Sequence, residues 1–210
     1  MLFILGCVPI EYGNIKTNEQ GELIGISKEQ IPDEIKFRTD QLFQQLVELD
    51  PSIDPLEARD VADTTIFYAM SLAEEYELTW PPIFHNMLVN YGFRPRGLCI
   101  HWCYDILALH RSKNYKTMEF HWGVANEGNR KNGRFAYEHS SPVVTPMGGD
   151  FYGGIVLDAW RDSGELKFGK IADDKYDWQP FDESKLDIDR ASRNSMPGYV
   201  PEPDSPEIQK

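Results

Sequence analysis

Cysteine is scarce in this 210-residue chain, and so is positive charge. Three cysteines leave one unpaired in any scheme, so no disulfide framework holds the fold. Twenty-one basic residues against 34 acidic ones give a net charge of -13. That balance repels nucleic-acid phosphates and anionic lipid headgroups. No internal apolar run approaches the roughly 18 residues that span a bilayer. There is no repeat and no low-complexity segment. What is present is ordinary for a globular protein: 41% hydrophobic and 26% charged residues, enough for one sizeable core.

The start, MLFILGCVPIEYGN, is the most apolar stretch. Ile4-Leu5-Gly6-Cys7 resembles a bacterial lipobox, in which the cysteine is lipidated. The basic region and longer apolar run of a signal peptide are missing. A short strand with a buried cysteine is the competing reading. The first reading places the protein at the cell envelope or periplasm, anchored through Cys7. The second leaves it cytoplasmic.

Residues 1–30 are polar after the start and read as a lead-in or tether. Residues 31–181 carry the folding pattern. Residues 182–210 are acidic and proline-rich and read as a disordered tail. Within the central part, Ile35, Leu42, Leu46 and Leu49 recur at helical spacing. Asp54, Pro55 and Glu57 form an N-cap, a first-turn proline and a capping-box acid, opening a helix to about Tyr76. Ala62, Ile66, Ala69 and Ala73 make its buried stripe. A short helix ends near Asn90, and another runs from about Leu98 to His110 on Leu98, Trp102, Ile106 and Leu109.

The period then falls from 3.6 to 2. Met118, Phe120, Trp122 and Val124 alternate with polar residues. Phe135, Tyr137, His139, Ser141 and Val143 share a face of the next strand, which is expected to pack on the cysteine helix. IVLDAW and LKFGKI are two more strands. The fold class is α+β: helices, with one beginning at a cysteine, packed on an antiparallel meander.

Two cysteines stand in GLCIHWCYDI. Cys99 falls in the first helical turn, where free N–H groups and the positive dipole end stabilise a thiolate. Cys103, four residues on, shares that helix face and packs beneath it. A zinc site would need two further ligands, with His101 and His121 as the candidates, at a spacing matching no common pattern. His101 points off the apolar stripe and reads as solvent-facing. His85 and His110 carry no signal. His139, among apolar neighbours, needs partners for its ring nitrogens. Asp158, inside GIVLDAW, needs one too, and a strand connection brings the two side by side. Thiolate, imidazole and orienting carboxylate form the arrangement of nucleophilic acyl chemistry. His121 competes for the base role but lies off its strand's apolar face.

RGLCIHW, EHSSPVV and GIVLDAW, in that order, resemble the cysteine, histidine and aspartate segments of the papain-like superfamily, in its transglutaminase-like branch of bacterial cysteine peptidases. The resemblance covers about residues 91–170. It implies Cys99 as nucleophile, His139 as general base and Asp158 as orienter, in a hydrolase or acyl transferase that needs no cofactor or metal. Its substrate would be a peptide, amide or ester, and cell-wall or envelope proteins are candidates if the chain is exported. A non-catalytic binding module on the same fold is the alternative. The chain departs from the pattern in that none of the glutamines upstream of Cys99 stands out as the donor to an oxyanion, which leaves more of that task to the Cys99 backbone N–H.

Overall fold

A computed structural model describes residues 8–9, 12–13, 15–126 and 138–186. Cys7, Phe135, Tyr137 and the segment beyond Leu186 lie outside the described residues. The lipobox reading and the expected disorder of the tail fall there.

The elements in chain order are β1 (Val8–Pro9), β2 (Lys16–Thr17), β3 (Leu23–Ile24), α1 (Asp33–Val47), α2 (Pro55–Glu75), β4 (Thr79–Trp80), α3 (Pro82–Asn90), α4 (Cys99–Ser112), β5 (Met118–Ala125), β6 (His139–Pro146), β7 (Ile155–Asp158), β8 (Lys167–Lys170) and β9 (Trp178–Pro180). The architecture is α+β. The main sheet is antiparallel in the order β8-β7-β6-β5-β9.

Helix α2 begins as its sequence predicts, with the Asp54 carboxylate accepting from the Leu56 N–H at 2.7 Å and Pro55 in the first turn. Glu57 does something else. Its carboxylate accepts from the backbone N–H groups of Lys116 and Thr117, at 2.8 and 2.9 Å, and from the Thr117 hydroxyl. The loop entering β5 has donors without a strand partner, and Glu57 supplies the acceptor, tying α2 to the sheet. Beyond its first turn α2 is buried over much of its surface: Val61, Ala62, Ile66, Phe67, Ala69, Met70, Leu72 and Ala73 are buried, and Asp63, Thr64 and Thr65 with them. A helix buried so widely is central, and α2 packs against both α1 and α4.

Both faces of the sheet are covered. Phe120, Trp122, Val144, Ile155 and Leu157 join the core beneath the helices. Ala125, Val143, Val156 and Trp178 form a second cluster with Phe151 and Ile171. His139 alternates in register with Val143, so it belongs to the second face. The expectation that its face packs under the cysteine helix is therefore corrected: Val144 and its pair mates occupy that place.

The expected lead-in is packed where it is described. Ile15 is buried in the main core. The Tyr12 hydroxyl donates to the Ser163 carbonyl at 3.0 Å, and the Thr17 N–H donates to the Ser71 hydroxyl at 3.2 Å. At the other end, Glu183 is held by the Arg111 guanidinium at 2.7 and 2.8 Å.

Candidate active site at the start of the cysteine helix

Helix α4 starts at Cys99 although its N-cap, Leu98, has no oxygen to offer. The acceptor comes from within. His101 is buried, not solvent-facing as its offset from the apolar stripe implied, and its Nδ1 accepts from the N–H groups of Gly97 and Leu98 at 3.1 and 3.2 Å. At the third helical position a side chain folds back over the cap, as a glutamate does in a capping box.

The preceding loop is held as firmly. Gly97 has φ +115°, and a Cβ there would stand 2.2 Å from Nε2 of His85. His85 accepts from the Thr79 N–H at Nδ1, so its Nε2–H is free to donate to the Arg96 carbonyl at 2.7 Å. Burial pushes its pKa down, in keeping with a neutral ring. Arg96 reaches Asp105, in the second turn of α4, at 2.7 Å to each oxygen, and the Tyr76 hydroxyl donates to the same carboxylate. His85, which carried no sequence signal, is thus part of the frame that aims Cys99.

The three predicted site residues come together. Cys99 is half-buried, its thiol lies 3.9 Å from the Glu138 carbonyl, and it is near enough to His139 to help raise that ring's pKa. His139 Nε2 lies 2.6 Å from Asp158 Oδ2, and both side chains are almost wholly buried. With Nε2 so engaged, Nδ1 is the ring nitrogen left for the thiol. His139 is the first residue of β6, so it meets the helix start at the end of the sheet. Burial alone would lower its pKa. Asp158 and then Cys99 outweigh burial and carry it up to about 9, so the ring is an imidazolium at neutral pH.

Asp158 is saturated. Oδ1 accepts from the N–H groups of Trp160 and Arg161, each at 3.1 Å. Oδ2 takes the Arg161 Nε–H at 2.9 Å besides His139. Burial raises the carboxyl's pKa, but His139 and Arg161 bring the net shift below the ordinary value. Arg161 also donates to Asp174 at 2.9 Å and lies over the Tyr176 ring. Three aromatic rings enclose His139: Trp160, Tyr176 and Trp178, with centroids at 4.9, 5.1 and 5.3 Å.

Sequence reasoning missed Arg161, Asp174, Tyr176 and Trp178. The spacing of Asp158 and Arg161 in DAWR, three apart, was the available signal. Strand β9 offered none, being three residues long and ending in proline.

The competing candidates sit elsewhere. Cys103 is buried beneath Cys99, and burial drives its thiol pKa well up. His121 Nε2 pairs with the Thr145 hydroxyl at 2.9 Å. Among the described residues, no three of His, Cys, Asp or Glu converge as metal ligands. No helix among them is long and apolar enough to cross a membrane. Comparison with protein-family models, curated proteins and solved structures finds no match to this chain.

Proposed function

We propose that this chain is a papain-like cysteine hydrolase or acyl transferase acting on an amide, peptide or ester bond. The observation that carries the reading is His139, bonded through Nε2 to Asp158 and facing Cys99 at the first turn of a helix. In the proposed reaction the proton on His139 is the one given up by the Cys99 thiol, and the resulting thiolate attacks the carbonyl carbon. The imidazolium of His139 gives its proton to the departing amine or alcohol. Water then adds to the thioester, losing its proton to His139, and the acid leaves as Cys99 is restored. An amine in place of water gives acyl transfer. Asp158 holds the ring's orientation and balances its charge in both halves. The aromatic rings and Arg161 keep bulk water from the carboxylate. If the chain is exported, peptides of the cell wall or envelope are its substrate class.

Iodoacetamide labelling with peptide mapping tests the site without a known substrate. Cys99 should label near neutral pH, and Cys103 should label only on unfolding. Equal labelling of the two would overturn the assignment, and absence of labelling at Cys99 would favour a non-catalytic module. Metal content measured on the same sample tests the zinc reading.

A further inference from the structure

Ten large apolar side chains are exposed among the described residues, and five of them fall between positions 80 and 93: Trp80, Ile83, Met87, Tyr91 and Phe93. The other five are scattered over the molecule, as isolated exposed hydrophobics usually are. This group is ordered. Ile83, Met87 and Tyr91 recur every four residues along α3 and its C-cap, so they line one face. Trp80 and Phe93 flank that face at its two ends. Helix α3, PIFHNMLVN, contains no charged residue. The nearest charges, Glu77 and Arg94, are paired with each other at 3.1 Å. An uncharged ridge with aromatic residues at its ends is what an interfacial helix presents to a bilayer.

The chain's own connectivity selects a bilayer over a second protein. Strand β1 pairs with β4, Val8 opposite Trp80. The chain's most apolar stretch, Met1 to Leu5, comes just before β1 in the sequence. We propose that the α3 ridge docks on a lipid bilayer of uncharged headgroups, its apolar side chains entering the boundary between headgroups and acyl chains. A net charge of -13 rules electrostatic attraction out as the driving force. Binding should therefore need no anionic lipid and should survive high salt. The flank of the same helix reaches the candidate site: Asn86 Oδ1 accepts from the Trp160 indole at 3.0 Å, and Trp160 packs on His139.

Flotation of the full chain with phosphatidylcholine vesicles tests this, in a Cys7→Ser background so that no acyl group on Cys7 contributes. The background protein should float. Met87→Glu with Phe93→Glu should cut the bound fraction roughly tenfold or more, because two apolar contacts become charges at the boundary. Ile83→Glu with Tyr91→Glu is a second pair, useful if the first alters folding. Leu56→Glu, an equally drastic change at an exposed apolar residue of α2, should float like the background. Brominated phosphatidylcholine should quench the exposed Trp80, and Trp80→Phe should abolish that quenching. A background protein that stays at the bottom would overturn the proposal, as would ridge variants that float undiminished. So would a ridge that, on sedimentation, proves to hold two copies of the chain together while ignoring vesicles.

Discussion

Two buried histidines stand at opposite ends of helix α4, His139 of β6 and the helix's own His110, and they are driven in opposite directions. At the N-terminal end His139 is carried up to about 9, because the buried carboxylate of Asp158 and the thiol of Cys99 outweigh its desolvation. At the C-terminal end His110 is pushed down to about 3. Burial is the main cause there, Lys113 adds to it, and Asp60 only partly opposes it. His110 has a hydroxyl where His139 has a carboxylate: Thr65 Oγ1 at 2.7 Å from Nε2. Its ring stacks on Phe120 at 4.5 Å. Asp60 is spent on Lys113 and Tyr115. Burial alone thus does not define a functional histidine. The direct partner decides whether the ring is a proton carrier or a polar piece of core.

The largest effect should separate the two ends outright. A panel of peptide amides, thioesters and cell-wall fragments would first be screened on the wild type. On any substrate it turns over, Cys99→Ala and His139→Ala should each reduce the rate by about a thousandfold or more. The double variant should be no worse than either single one, since both residues serve one step. Asp158→Asn should retain more activity. His110→Ala should lose stability and keep its turnover per folded molecule. An active Cys99→Ala protein would remove the enzyme reading. An active His139→Ala with an inactive His121→Ala would move the base to β5.

The two ends also differed in how legible they were. Cys99 could be placed at a helix start because Pro95 and Gly97 break the chain before an apolar stripe, and that is local information. His139 and Asp158 could be paired because their strands are neighbours in sequence, and β6 does lie beside β7. His110 was silent because its partner Thr65 lies 45 residues away on another helix. His101 was misjudged because periodicity describes a helix's interior, whereas a first-turn side chain can fold back onto its own cap. Glu57 had the right spacing for a capping box and found stronger use in two N–H groups some 60 residues on. The overall α+β class followed from the change of period. Strand β9, with its tryptophan on His139, has no period to read.

Stability should show the same contrast at a smaller scale. Asp158→Ala leaves an imidazolium and a guanidinium buried without their shared carboxylate. Its cost in urea unfolding should be about 3–5 kcal/mol. Thr65→Val keeps the shape, removes the hydroxyl's bonds to His110 and to the Val61 carbonyl, and leaves a neutral ring N–H unpaired, for about 1–3 kcal/mol. Equal costs would mean that the Asp158 cluster is no more strongly coupled than an ordinary buried hydroxyl.

The pH dependence follows from the two shifts, with opposite signs. His139 is raised from 6.5, so the stability it confers is complete below about pH 6.5 and is lost as pH rises through about 9. His110 is lowered, so its contribution is complete above about pH 6.5 and is lost as pH falls toward 3. Urea midpoints measured from pH 5 to 9 should peak near 6.5. His139→Gln should flatten the alkaline limb alone, and His110→Gln should reduce the acid limb alone. A single substitution that flattened both limbs would show that the two ends are not independent.

The smallest effect concerns the cation beside each ring. Arg161 shares Asp158 Oδ2 with His139, at 2.9 Å against 2.6 Å. Two donors on one carboxylate oxygen compete, and each positive charge disfavours the other. Removing the guanidinium in Arg161→Gln leaves the oxygen to the imidazolium alone, so His139 should release its proton at a higher pH, by up to about one pH unit. Lys113 stands in the same relation to His110. Lys113→Gln removes a repelling charge and frees Asp60 from its closest cation, so His110 should also protonate at higher pH, by a similar amount. Titration of the two imidazole carbon-bound protons by NMR reads both changes directly. Each substitution should move its own histidine and leave the other in place. A downward move of His139 in Arg161→Gln would mean that the guanidinium's main effect is to hold Asp158 against the ring, with its own charge secondary.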